Sequence, residues 1–173
     1  WEIAGIEEVL GPSTWSPENK TEPIHPETMS QLLVWAIRFV EDFSKDIFRA
    51  EEHVTALKAV TPTKTLAEGT PIAKAYAARL AAKGQPLPGV IIRGQHRVAR
   101  EFIAKSLGIR LNSITPEVRG GMPVATSTPL LTPISGRLEG EERSWIEALD
   151  YYEVRSYKGL LATACLIVTA YLS

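Results

Sequence analysis

The fold is decided by residues 32–48, which read LLVWAIRFVEDFSKDIF. Apolar side chains recur there three and four positions apart, which is the period of one face of an α-helix. Charged side chains, Asp46 among them, fill the opposite face. Pro26 is a typical first residue of such a helix. The pattern predicts a helix from Pro26 through about Val60, with room for a bend.

Two more helices are predicted in the middle of the chain. The first has Thr70 as its N-cap, Pro71 in its first turn and Gly84 just past its end. The second runs from about residue 95 to residue 107 and is closed by Gly108. Their apolar residues recur at helical spacing, so both helices are expected to pack on a common core.

The remaining segments have weaker patterns. Residues 90–92 are a short apolar run that does not distinguish a strand from a helix. Residues 115–142 are rich in Gly and Pro, which indicates a connection with a small amount of strand. A last helix is predicted from about Asp150, a candidate N-cap, to Leu172. Residues 1–25 indicate an arm with little structure, and the fold class is mainly α.

Composition excludes several classes of protein. A single cysteine, Cys165, excludes an internal disulfide framework, suits the reducing cytoplasm and is expected in the core. Three scattered histidines make a metal site improbable, and no motif for a cofactor or a catalytic group is present. No secretory signal opens the chain, and the apolar C-terminal stretch is shorter than the ~20 residues of a membrane span. We therefore expect a cytoplasmic protein with no metal, cofactor or membrane partner.

Charge is strongly segregated along the chain, although its net value is only −1. Residues 1–60 have 5 basic and 11 acidic side chains, a net charge of −6. Residues 61–120 have 10 basic and 3 acidic side chains, a net charge of +7, and residues 121–173 have 4 and 6, a net charge of −2. A basic middle segment indicates a polyanionic partner.

Seven basic residues of the middle segment are the candidate DNA contacts: Lys64, Lys74, Arg93, Arg97, Arg100, Lys105 and Arg110. Spacings of four and three predict that Arg93, Arg97 and Arg100 share one face of a helix and its lead-in. Guanidinium groups so placed can bind successive phosphates or a guanine edge. A solvated helix face is the alternative, and the scarcity of acidic residues argues against it.

Residues 101–109, EFIAKSLGI, resemble the first half of a helix-turn-helix unit. Ala104 supplies the small residue and Gly108 the turn that this unit needs. The recognition helix that should follow is doubtful, because residues 112–116, NSITP, are short and end in proline. A helix-turn-helix regulator and an ordinary core helix both remain open.

Two longer stretches resemble the tyrosine recombinase family, in its phage-type integrase branch. Residues 32–47 are similar to the opening helix of the core-binding domain. Residues 136–140, GRLEG, and 145–154, WIEALDYYEV, lead into 160–173 and are similar to the start of the catalytic domain. The family continues Ala-Tyr-Leu-Ser with Gly-Met-Arg, whose arginine is catalytic, and this sequence stops at Ser173.

The resemblance implies a division of the chain into four parts. These are an arm (1–25), a helical, SAM-like core-binding domain (26–120), a linker (121–141) and the truncated start of a catalytic domain (142–173). The implied partners are double-stranded DNA at a recombination site and other recombinase subunits. The implied role is to position DNA without catalytic residues. A helical protein–protein interaction module, docking through residues 159–172, is the main alternative.

Overall fold

The computed structural model describes residues 25–138 and 142–173. It is mainly helical, with one two-stranded sheet, which confirms the predicted fold class. In chain order the elements are α1 (Pro26–Arg38), a π-helical turn (Phe39–Phe43), α2 (Ser44–Ala59), α3 (Leu66–Ala82), β1 (Gly89–Ile92), β2 (Gln95–Val98), α4 (Arg100–Leu107), a 3₁₀ turn (Leu111–Ser113), α5 (Pro116–Arg119) and α6 (Val154–Leu172). The chain divides into two units, Trp1–Leu32 and Leu33–Ser173. The three groups of core residues described below all belong to the second unit.

The long first helix forms as predicted, and its bend is the π-helical turn. Helical backbone angles continue through Arg38 and Ser44, so α1, the turn and α2 follow one another without a break. The predicted outward position of Asp46 is wrong, because this carboxylate is completely buried. Helical periodicity assigns residues to faces but does not reveal a polar partner from a distant segment.

The start of α3 differs from the prediction. Its N-cap is Thr65, and Thr65 and Glu68 form a capping box in which each side chain accepts the other's backbone N–H. This pair satisfies two free N–H groups at once, which outweighs the start signal of Thr70 and Pro71. Pro71 therefore lies inside the helix. The predicted end holds, since the helix stops before Gly84.

The predicted helix from residue 95 is wrong over its first five residues. Gln95–Val98 forms β2 and pairs antiparallel with β1, so the ambiguous apolar run 90–92 is strand. Arg93 and Gly94 make the tight turn, with φ angles of 51° and 75°. Helix α4 begins only at Arg100 and ends, as predicted, at Gly108 in the left-handed conformation.

The predicted linker has no helix or strand in its described part, residues 121–138, but it is firmly packed. Leu87 donates its N–H to the Pro123 carbonyl at 3.0 Å, and Ala125 donates to the Leu87 carbonyl at 2.9 Å. Further along, Leu130 is buried and donates to the Leu149 carbonyl at 2.8 Å. This segment is part of the folded body and does not behave as a free tether.

The last helix starts four residues later than predicted, at Val154. Asp150 is not its N-cap; the carboxylate instead accepts the N–H of Tyr152 at 2.7 Å and the N–H of Thr128. Cys165, expected in the core, is exposed. The apolar composition of this helix predicted a buried Cys165, but only one narrow side of α6 packs on the rest of the protein.

Three groups of buried side chains form the core. The first lies between α3, α4 and residues 109–118. The second joins α2 to Leu130 and to residues 149–154. The third joins Phe43 and Ile47 to Leu161 of α6. Because the second and third groups unite the predicted core-binding and catalytic parts, those parts share one folded body.

Candidate nucleic-acid interface

The β-hairpin places two of the candidate arginines at an exposed edge of the protein. Arg93 lies at its tip, and Arg97 lies on β2 opposite Val90. The Arg97 guanidinium donates to the Gln95 side-chain oxygen at 2.9 Å, which orients it along the same face of the strand. Both arginines are exposed, so their remaining N–H groups can reach a ligand.

Two further arginines line a cleft together with Val98 at the base of the hairpin, and a third precedes Leu111 in the chain. Arg100 is the first residue of α4 and donates to the carbonyl of Leu111, the residue after Arg110, at 3.2 Å. Arg100 and Arg119 both line an open cleft of 410 Å³. We call Arg93, Arg97, Arg100, Arg110 and Arg119 the arginine surface. Sequence reasoning missed Arg119, although it belongs to the same basic segment.

The predicted arrangement of this surface is wrong, although its residues are exposed. Arg93, Arg97 and Arg100 do not share a helix face, because they occupy a turn, a strand and a helix start. The spacing of four and three fits a helix, but Gly94 and the β-branched Val90 and Ile91 favour a hairpin. The hairpin still keeps two arginines together.

Lys64 and Lys74 each act on a nearby carboxylate. The pKa of Glu68 is lowered mainly by hydrogen bonds from the Thr65 N–H and hydroxyl, and further by the charge of Lys64. The pKa of Glu117 is lowered mainly by the Thr115 hydroxyl and, to a smaller extent, by Lys74. These lysines are exposed, but part of their charge is already balanced.

Lys105 has a structural role. Its ammonium group donates to the Lys58 carbonyl at 2.7 Å and to the Val60 carbonyl at 2.8 Å, at the C-terminal end of α2. A cation at a helix C-terminus satisfies carbonyls that have no partner within the helix. Lys105 therefore joins α4 to α2, and it is not part of the arginine surface.

The sequence that leads up to and includes the hairpin contains no acidic residue. Between Glu68 and Glu101 there are six basic residues and no Asp or Glu. These residues form most of α3 and the whole hairpin. A surface built from such a segment has a positive potential that attracts polyanions and accelerates their association.

A helix-turn-helix unit does not form after α4. Gly108 makes the expected turn, but it is followed by the three-residue 3₁₀ turn and by α5, which has four residues. Neither is long enough to lie along a DNA groove as a recognition helix. The doubt that the sequence raised about this helix is confirmed.

Residues 25–138 and 142–173 offer no metal-binding or membrane-spanning feature. No three His, Cys, Asp or Glu side chains there are placed to hold a metal ion. Among the helices of the same residues, none has both the length and the apolar character to cross a membrane.

Comparison of the chain with protein-family models, with curated proteins and with solved structures gave no match. The site is therefore interpreted from its own geometry.

Proposed function

We propose that this chain is the DNA-binding part of a site-specific tyrosine recombinase, which holds recombination-site DNA for strand exchange. The observation that supports it best is the stretch between Glu68 and Glu101, which has six basic residues and no acidic ones. It folds into most of α3 and the hairpin, and it supplies Arg93, Arg97 and Arg100 of the arginine surface. The resemblance of residues 32–47 and 136–173 to integrases supplies the reaction class.

The residues described act by binding and orientation. Guanidinium groups neutralise phosphates and release counterions, so affinity for duplex DNA should fall steeply with salt. Such contacts set the register of the protein on DNA, and they supply no bond-breaking chemistry. In the intact enzyme implied by the resemblance, a tyrosine attacks the scissile phosphate and basic groups stabilise the transition state without a metal. Its partners would be duplex DNA and other recombinase subunits, in the cytoplasm.

Fluorescence anisotropy with a labelled duplex tests this proposal. The variant Arg93→Ala, Arg97→Ala, Arg110→Ala removes three positive charges from exposed side chains of the arginine surface. We expect its affinity to fall at least about tenfold at low salt. The slope of log K against log salt should become shallower by about 0.9 for each phosphate that the variant no longer neutralises.

A matched triple variant removes the same charge elsewhere. Lys45→Ala, Lys58→Ala, Arg155→Ala changes exposed residues outside the basic segment. It should bind DNA almost as well as the wild-type chain. Equal weakening of both variants would mean that net charge alone governs binding, and salt-independent or absent binding would contradict the proposal.

A second candidate function, docking to another protein, is favoured by the surface of α6. Leu160, Leu166 and Leu172 are 52%, 69% and 78% exposed. Beside them lies an apolar groove with Phe48 and Cys165 in its lining. A contiguous apolar groove of this kind, more than the separately exposed leucines, is a feature that another protein can bind.

Sedimentation velocity over a range of protein concentrations distinguishes this candidate. Self-association that persists at high salt and is abolished by Leu166→Lys, but not by Leu131→Lys, would support it. Leu131 is the control because it is 96% exposed and lies outside α6. A monomer at every concentration would exclude self-association through α6.

A further inference from the structure

The hairpin projects from the protein by about half its length. Gly89 at its base is buried and Val90 and Val98 are partly buried, whereas every residue from Ile91 to Arg97 is exposed. A methyl group added at Gly94 would meet no atom within 4 Å. The tip is therefore open to solvent on all sides, although its strands are apolar at two positions.

The side chains of the tip are divided between two faces by the strand register. Ile92 pairs with Gln95, and Arg97 follows Gln95 on the same face. Ile91 pairs with His96 on the opposite face. Ile91 and Ile92 are 51% and 42% exposed. Contact of their apolar side chains with water is unfavourable, and a partner that covers them would remove it.

Arg93 occupies a position that other residues fill more easily. Its φ angle of 51° lies in the left-handed region, and Arg93 is the only non-glycine among the described residues with a positive φ. Asn, Asp and Gly are preferred at this position of a two-residue hairpin turn. A strained backbone at an exposed tip points to a function for the side chain.

We propose that the hairpin tip enters the major groove of DNA and reads base edges. This inference rests on the proposed function, and it names the element that supplies sequence specificity. The major groove is about 12 Å wide and about 8.5 Å deep, and it admits a two-stranded ribbon. The exposed part is two residues of β1 and three residues of β2, or roughly 7–10 Å, which is comparable with that depth.

The chemistry of the tip matches what the major groove presents. Isoleucine side chains can contact thymine methyl groups, a glutamine amide can pair with adenine, and an arginine can bind guanine through two hydrogen bonds. Gln95 keeps its NH₂ group free when its oxygen accepts from Arg97. The minor groove, about 6 Å wide, is too narrow for two strands about 4.8 Å apart with their side chains.

The first test is selection of binding sites from a randomised duplex library. The wild-type chain should enrich a short motif. Gln95→Ala and Arg93→Ala should each reduce discrimination about tenfold at one or two base positions. Lys83→Ala, a charge removed from the exposed end of α3, should weaken binding to all sequences alike and leave the motif unchanged.

The second test identifies the groove on the selected duplex. Methyl green, which occupies the major groove, should displace the protein, and netropsin, which occupies the minor groove, should not. Replacement of thymine by deoxyuridine within the motif should weaken the wild-type chain and have little effect on Ile91→Ala, Ile92→Ala.

The outcomes separate this inference from the proposed function. Salt-sensitive binding without any enriched motif, or displacement by netropsin alone, would overturn the hairpin's role and leave DNA binding intact. Absence of salt-sensitive binding to any duplex would overturn both. Circular dichroism of each variant should match the wild type, because all the substituted side chains are at least partly exposed.

Discussion

The hairpin and the connection formed by residues 133–138 and 142–146 satisfy their backbone hydrogen-bonding groups in opposite ways. The hairpin satisfies its backbone groups within its own ladder and leaves the side chains of its tip without a core. The described residues of the connection form no ladder of that length, and the N–H groups of Ser135 and Gly136 are donated to a buried side chain. Asp46 accepts the N–H groups of Ser135 and Gly136 at 2.9 and 2.8 Å and the Trp145 indole N–H at 3.0 Å.

This difference shows that regular secondary structure and fixed position are separate properties. We call Asp46, Ser135, Gly136 and Trp145 the aspartate clamp. Trp145 also stacks on Phe43 with ring centroids 4.5 Å apart, so polar and apolar contacts hold the same segment. The hairpin is regular but open to a ligand, whereas the clamp is irregular and closed to one.

The largest expected effect comes from breaking the clamp. Asp46→Asn places an NH₂ group or a neutral oxygen against donors that now meet a carboxylate. Charge-assisted hydrogen bonds contribute about 1.5–3 kcal/mol each, and some of them survive in the variant, so we expect the free energy of unfolding to fall by about 3–5 kcal/mol. Urea unfolding at neutral pH measures this change.

Asp42→Asn is the matched control, because Asp42 is exposed and only four residues away. Its effect should stay within about 0.5 kcal/mol. A folded Asp46→Asn protein should bind DNA like the wild type, since the clamp and the arginine surface do not share residues. Equal stability of the two variants would show that the buried carboxylate does not hold the connection.

The pH dependence of the free energy of unfolding gives a second test of the aspartate clamp. Burial opposes ionisation of Asp46, but the hydrogen bonds from Ser135, Gly136 and Trp145 outweigh it and lower the pKa of the carboxyl below 3.8. A lowered folded-state pKa stabilises the fold above the unfolded value, and this contribution disappears as pH falls through the folded value.

Urea midpoints from neutral pH to about pH 2.5 measure this decrease. The gap in stability between the wild type and Asp46→Asn should be constant above about pH 5 and should narrow below the unfolded pKa of 3.8. A gap that does not change with pH would mean that the pKa of Asp46 is the same in the folded and the unfolded chain.

The smallest expected effect lies in the hairpin. Arg93→Gly removes the strain of a non-glycine residue in the left-handed region. Glycine also loses more chain entropy on folding, so the free energy of unfolding should change by less than about 1 kcal/mol. The affinity for DNA should nevertheless fall. Thermal unfolding and anisotropy on the same sample would show whether stability and binding separate in this way, and a parallel decrease of both would contradict the hairpin's proposed role.

The sequence predicts the features that depend on local periodicity and glycine. The helix from Pro26 to residue 59 and the ends at Gly84 and Gly108 follow from spacing and from left-handed turns. The start of α3 is also encoded locally, by Thr65 and Glu68, but Pro71 offers a second start signal only a few residues later. Competing local signals differ by little energy, and the capping box prevails because it satisfies two N–H groups.

The hairpin and the clamp could not be predicted because each depends on a pairing. An arginine at the first position of the turn is an unfavourable hairpin signal, so the strand pairing of Ile92 with Gln95 is hidden in the sequence. The burial of Asp46 depends on Ser135 and Gly136, about ninety residues later. Charge alone identifies the candidate arginines, and only the structure shows which turn, strand or helix holds each of them.

The base of the hairpin has a mechanical consequence. Gly89 accepts the hydroxyl of Thr128 through its carbonyl at 2.9 Å, and Tyr151 donates its N–H to the Thr128 carbonyl at 2.9 Å, three residues before α6 begins. Hydrogen bonds therefore run without interruption from the hairpin to the root of the last helix. Thr128 thus ties the base of the hairpin to the segment that precedes α6, so these two parts of the chain are anchored at one shared residue.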